Sequence, residues 1–143
     1  QTVLNGEKVR AYTYVTNWQW VHNHLGNCMF IAWDRAQMAE IVEAMTGWQT
    51  NVWELMKVGE RGVTMARAFN TREGFTRADD RLPRRMQTYF VSGRVNEEPI
   101  DPEVLEEAKE TFYGMMGWDT ETGVPTKAKL EELGIGWIHD QIK

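Results

Sequence analysis

Apolar residues recur on a helical period along most of this chain. Behind Asp34, a residue suited to cap a helix start, Met38, Ile41, Val42 and Met45 fall at i, i+3, i+4 and i+7, and Gly47 supplies a stop. The spacing predicts an amphipathic helix with those four residues on its inner face. From Asn51, with Glu54 at the capping-box position, Val52, Leu55, Met56, Val63 and Ala66 lie on one stripe that also carries Gly59 and Gly62. Glycine inside a helix costs about 1 kcal/mol relative to alanine. Close approach of a second helix, or a kink, is the expected compensation. Asp101 and Pro102 open a third helix with Leu105, Ala108, Phe112 and Met115 inward and Gly117 at its end. Thr126 to Gly134 makes a short fourth. Residues 10–24, "RAYTYVTNWQWVHNH", read equally as strand or helix, and their aromatic bulk implies burial either way. The expected fold class is all-α.

Residues 73–100 carry little periodicity and have Pro83 in their middle, the mark of a long ordered excursion that is functional or packed on a partner. No internal repeat is present. The 143 residues fit one helical domain over 1–143, long enough to bury roughly 70% of the surface of the unfolded chain. Seven Trp and eight Met supply a dense core and argue against disorder. No apolar run approaches the roughly 18 residues that cross a bilayer, so no membrane partner is expected. The start, "QTVLNGEKVR", lacks the order of a signal peptide. A single cysteine forms no internal disulfide, which points to a reducing cytoplasm. Opening on Gln1, the chain reads as trimmed or as a piece of something longer.

The net charge of −5 conceals an asymmetry. Between Arg61 and Arg85 stand seven Arg, no Lys and three acids, Glu73, Asp79 and Asp80. Between Glu97 and Glu110 seven acids face Lys109 alone, the composition of a solvated helix start. An all-Arg set favours the planar forked donor used on carboxylates, phosphates or buried partners. The acidic total weighs against nucleic acid. Salt bridges from Arg67, Arg72 and Arg77 to acids such as Glu60, Glu73, Asp79 and Asp80 are expected instead.

The one cysteine lies in "NHLGNC", residues 23–28. A lone cysteine is more often a small buried hydrophobe than a ligand. His22 and His24, two apart, point away from each other on a helix and share one face on a strand, and with Cys28 they would leave a zinc site one ligand short. A Cys–His nucleophile pair would have His24 as its nearest partner. An iron–sulfur cluster commonly takes four thiolates, so Cys28 can supply one if three come from elsewhere.

"GERGVTMARAFNTREGFTRADDRLPRR", Gly59 to Arg85, resembles the arginine-rich signature of the C-terminal domain of the tungsten-containing aldehyde ferredoxin oxidoreductase family. "MTGW" (Met45 to Trp48), "MGWD" (Met116 to Asp119) and "GVPTKAKLEELGI" (Gly123 to Ile135) are similar to that family in wording and order. The resemblance spans about residues 23–137. It implies a multihelical domain that is the last of three in a larger oxidoreductase. There a tungsten held by two pterin (molybdopterin-type) cofactors sits beside a 4Fe-4S cluster. The family motif Asp-x-x-Gly-Leu-Cys, which meets a pterin and gives the fourth cluster ligand, is matched by Asn23, Gly26, Asn27 and Cys28. The resemblance therefore makes these four cofactor-binding and Cys28 the metal ligand. Asn23 replaces Asp and so brings no negative charge to ring N–H groups, and Asn27 replaces Leu. It implies no catalytic residue in this segment, and His22, His24 and His139 match no family motif. The implied function is oxidation of aldehydes to carboxylates with ferredoxin as electron acceptor. The implied partners are the preceding domains, ferredoxin and an aldehyde. The isolated chain is expected to be inactive and cofactor-free. The alternatives are different tungsten chemistry, such as reduction of aromatic acyl-thioesters, and a cofactor-free helical interaction domain.

Overall fold

The computed structural model describes residues 3–88 and 99–142, and their fold is all-α. Five α-helices follow one another: α1 (Gly6–Leu25), α2 (Arg35–Thr46), α3 (Val52–Arg72), α4 (Pro102–Met116) and α5 (Lys127–Glu132). Among the described residues, short 3-10 turns lie at Arg77–Asp79, Arg84–Gln87 and Gly136–Gln141. The excursion expected over 73–100 contains the first two of these turns, and its residues 89–98 lie outside the described residues. Among the described residues no helix is long and apolar enough to cross a membrane.

Helix boundaries follow local chemistry. Asp34 and Gln37 form a reciprocal capping box at the start of α2, and Gly47 ends it with left-handed backbone at φ 74°. Asn51, Asp101 and Thr126 cap α3, α4 and α5 through side-chain oxygens. Residues 10–24 belong to α1, whose buried positions are Val9, Thr13, Asn17, Val21 and His22. The hidden stripe runs every four residues as expected for a helix, but half of its regular positions are polar, which erased the apolar signal.

α1 and α3 pack against each other, with α4 on α1 and α2 on α3. The glycine stripe of α3 makes the close approach: a Cβ built on Gly59 would stand 1.9 Å from the Asn17 carbonyl oxygen. Three apolar clusters form the interior: Val21, Met38, Ala39, Val42 and Leu55; Val63, Tyr113, Met116 and Trp118; and Ala68, Leu130, Leu133, Ile135 and Ile138. Two inner faces differ from the periodic expectation. Met45 is 81% exposed and Ala39 takes its place in α2; Met115 is 40% exposed while Tyr113 and Met116 are buried in α4. α4 is contacted on two flanks, by α1 and by the Trp118 segment, so its buried arc is displaced from a single stripe.

Candidate functional site

The end of α1 fixes the place of Cys28. Gly26 adopts left-handed backbone at φ 64°. The Asn27 amide donates back to the His22 carbonyl at 3.2 Å and the Gly26 amide to the Asn23 carbonyl at 3.4 Å. This Schellman-type end strains any residue with a Cβ at Gly26. The turn is then tied to α2, because Asn27 Nδ2 donates to Met38 Sδ at 3.6 Å. Chain neighbourhood thus places Asn23, Gly26, Asn27 and Cys28 in one turn, with Asn27 half-buried and the other three exposed. The Asn27 Oδ1 is buried without a partner. Such an acceptor carries a desolvation cost of about 1–3 kcal/mol.

The two histidines diverge. His22 is buried edge-on against Trp18, with ring centroids 5.8 Å apart, and its Nδ1 is buried without a partner. His24 lays its ring on α3, where a Cβ added to Gly62 would stand 1.9 Å from Cε1 and 2.4 Å from Nε2. Its Nδ1 lies 2.6 Å from the Trp20 carbonyl oxygen. A carbonyl only accepts, so Nδ1 carries the hydrogen. Among the described residues no group of three or more His, Cys, Asp or Glu is placed to hold a metal ion. The zinc alternative at His22, His24 and Cys28 therefore has no structural counterpart.

Cys28 itself is exposed, and its neighbours are unusually apolar for a surface: Met29, Ile31 and Trp33 are exposed and Phe30 is 89% exposed. A thiol so placed can act as a soft ligand to a metal brought by another body, with the apolar chain around it available to exclude water.

A second constellation involves the arginine run. Arg67 of α3 is 7% exposed, pairs with Asp80 at 2.7 Å and donates from Nε to the Gly123 carbonyl at 2.8 Å. Its guanidinium lies 5.5 Å from the Tyr113 ring centroid and 5.6 Å from that of Trp118. Tyr113 donates its hydroxyl to Asp80. Burial, then that bond, pushes the phenol up to about 12. Arg72 pairs with Glu73 at 2.9 Å. Arg77 pairs with Glu106 and Glu110 rather than with its nearer acids. Glu60 joins Lys57 at 2.7 Å and Lys129 at 2.8 Å instead of an arginine. These are internal ties that hold α3, α4 and the 77–80 turn together. Beside them a groove of about 750 Å³ runs between α1, α3 and α4, lined in part by Tyr12, Trp20, Phe112 and Leu82.

Comparison with known proteins gives the family of the chain. Residues 1–135 match the family model described as aldehyde ferredoxin oxidoreductase, domains 2 and 3. The tungsten-containing aldehyde ferredoxin oxidoreductase of Pyrococcus furiosus is 34% identical over 115 residues, which are 77% of this chain and 18% of that protein. The protein of the same name from Thermococcus kodakarensis is 29% identical over 137 residues, 92% of this chain and 22% of that one. This chain thus spans about a fifth of the length of the curated relatives it matches. Among solved structures, the active site complex BamBC of benzoyl coenzyme A reductase, in complex with 1,5-dienoyl-CoA, superposes with a TM-score of 0.73 at 25% identity. That match covers 93% of this chain and 20% of the other. By the match over residues 1–135, this chain belongs to the aldehyde ferredoxin oxidoreductase family.

Proposed function

We propose that this chain is the C-terminal helical domain of a tungstopterin, iron–sulfur oxidoreductase that oxidises aldehydes to carboxylates and passes the electrons to ferredoxin. The observation that carries the reading is the turn at residues 23–28, which presents the single thiol of the chain to the outside just past a capped helix end. The residues present fit the implied group. Cys28 is an exposed soft donor, and it sits among exposed apolar side chains that the preceding domains of the parent would cover. Cys28 is one ligand of the 4Fe-4S cluster, and the other three come from outside this chain. Gly26 has no Cβ to hold a flat ring away from the backbone. Asn23 offers an exposed amide that both donates and accepts, without the charge a carboxylate would bring. When bound, the tungstopterin and cluster supply the two-electron chemistry and the one-electron path out. The segment contributes ligand, orientation and cover, so on its own it is inactive and holds no cofactor. The lone cysteine accords with a cytoplasmic setting.

Cys28→Ser in the parent enzyme tests this. The expected result is a lowered iron content, an altered or absent reduced-cluster resonance and slowed ferredoxin reduction, since an oxygen ligand serves iron poorly where a soft thiolate is required. Full iron, an unchanged resonance and normal turnover would make Cys28 packing only.

The likeness to the benzoyl coenzyme A reductase complex favours a second reading, reduction of an aromatic acyl-thioester. Assaying the parent with an aldehyde and an oxidised acceptor, and separately with an aromatic acyl-thioester and a reductant, distinguishes the two.

A further inference from the structure

We infer that His24 and Gly62 are a positioning pair for Cys28: the imidazole seats on the bare backbone of Gly62 and thereby sets where α1 ends and where the thiol stands. The inference rests on the reading of Cys28 as a cluster ligand. Gly59 and Gly62 share one stripe but receive different things. Gly59 faces the Asn17 carbonyl, so it lets two helices approach. At Gly62 the three nearest atoms to a built Cβ, Cε1, Nε2 and Nδ1, all belong to the His24 ring. That ring is held from two further directions. Nδ1–H donates to the Trp20 carbonyl at 2.6 Å, and the ring leans on the Trp20 indole with centroids 5.7 Å apart.

His24 stands on the last turn of α1, four residues before Cys28 and two before the left-handed Gly26. Fixing its ring to α3 fixes that turn on one side. The Asn27 to Met38 contact fixes it to α2 on the other. A ligand whose backbone is held from both sides keeps its donor in place without a cofactor's help, the role that outer-shell groups play at metal sites. On the loop side the Cys28 carbonyl accepts from the Ile31 amide at 3.2 Å, a local turn that ties Cys28 to neither α2 nor α3. Any side chain at Gly62 must expel the ring or push the end of α1 outward, and either moves the Cys28 turn.

The test uses the intact parent enzyme, with its cluster challenged by an iron chelator well below the melting temperature of every variant. His24→Ala empties the seat without a clash and should release iron about 10–100-fold faster than the unmodified enzyme, with a changed reduced-cluster resonance. Gly62→Ala should do the same, and adding it to His24→Ala should give no further acceleration. Leu130→Ala, in a cluster of Ala68 with α5 and the residues that follow it, which does not include the turn, serves as a control for destabilisation alone and should release iron at close to the unmodified rate. Should Gly62→Ala not fold, His24→Ala and Leu130→Ala decide the matter. Release from His24→Ala no faster than from Leu130→Ala, with an unchanged resonance, overturns the positioning role. A Cys28→Ser parent that keeps its cluster overturns the ligand reading itself, and the inference with it, whatever the His24 variants do.

Discussion

Arg67 shows how one residue can organise a region. Its charge is removed from water, and what repays this is the Asp80 carboxylate, the Gly123 carbonyl and two aromatic faces. Removing one partner of a buried pair costs about 3–5 kcal/mol. Asp80 keeps 35% of its side chain in water, so Arg67→Ala should lie at or below the lower end of that range in denaturant unfolding. Arg67→Lys should recover only part of the loss, because a point ammonium cannot pair with Asp80 and serve Gly123 in the same fork. The phenol of Tyr113 gives a titration signature. Its value is raised from 10 to about 12, so the protonated form is favoured in the folded chain. The associated stability is fully present below pH 10 and is lost as pH rises from 10 towards about 12. Tyrosinate absorbance should show a late-ionising phenol in the unmodified chain that is missing from Tyr113→Phe; a Tyr113 phenol ionising at the ordinary value would contradict the Asp80 bond. The arginines were legible as internal ties from their composition, whereas their acids were only half legible. Arg67 and Arg72 take acids from the expected set, but Arg77 reaches Glu106 and Glu110 on α4, and Glu60 is claimed by Lys57 and Lys129. Pairing between helices depends on their packing, which local spacing does not encode.

The elements were read well where caps and glycines speak and poorly where burial is polar. Asp34, Asn51, Asp101 and Thr126 each mark the helix start that the structure has. α1 was undecided because Thr13 and Asn17 occupy its hidden stripe, and only their neighbours across the helix pair explain why they are buried. Thr13 returns its hydroxyl to the Val9 carbonyl at 3.0 Å, and Asn17 presents its backbone to Gly59. The glycine stripe of α3 did announce a close neighbour. Gly59→Ala should therefore be costly, since the new methyl would meet a backbone oxygen that no side-chain rotation can move. Overpacking of this kind typically costs about 1–3 kcal/mol, and immovable backbone puts Gly59 at the upper end. A melting midpoint unchanged by Gly59→Ala would mean that α1 and α3 separate easily.

At the scale of the whole molecule, the candidate site was legible as a motif and illegible as a geometry. The order of residues 23–28 named the thiol and its turn. The seat of His24 on Gly62 joins positions 38 residues apart and appears only once α1 and α3 pack. The net charge of −5 opposes a polyanion, and carbonyls or acids engage Arg61, Arg67, Arg72 and Arg77, four of the seven arginines of the basic run. Duplex DNA titrated at low salt should accordingly show no tight binding; a steep fall of affinity with added salt would reverse this. The buried polar stripe of α1 has one more consequence, for the order in which the protein is made. α1 carries too little apolar surface on one face to be held by collapse alone, and the helices that cover it lie downstream, with α4 ending at Met116. At roughly 5–20 residues per second, α1 waits roughly 5–20 seconds on the ribosome before that cover is synthesised. Within that interval α3, which packs along α1, is complete at Arg72, so α1 gains its α3 side first and its α4 side only later.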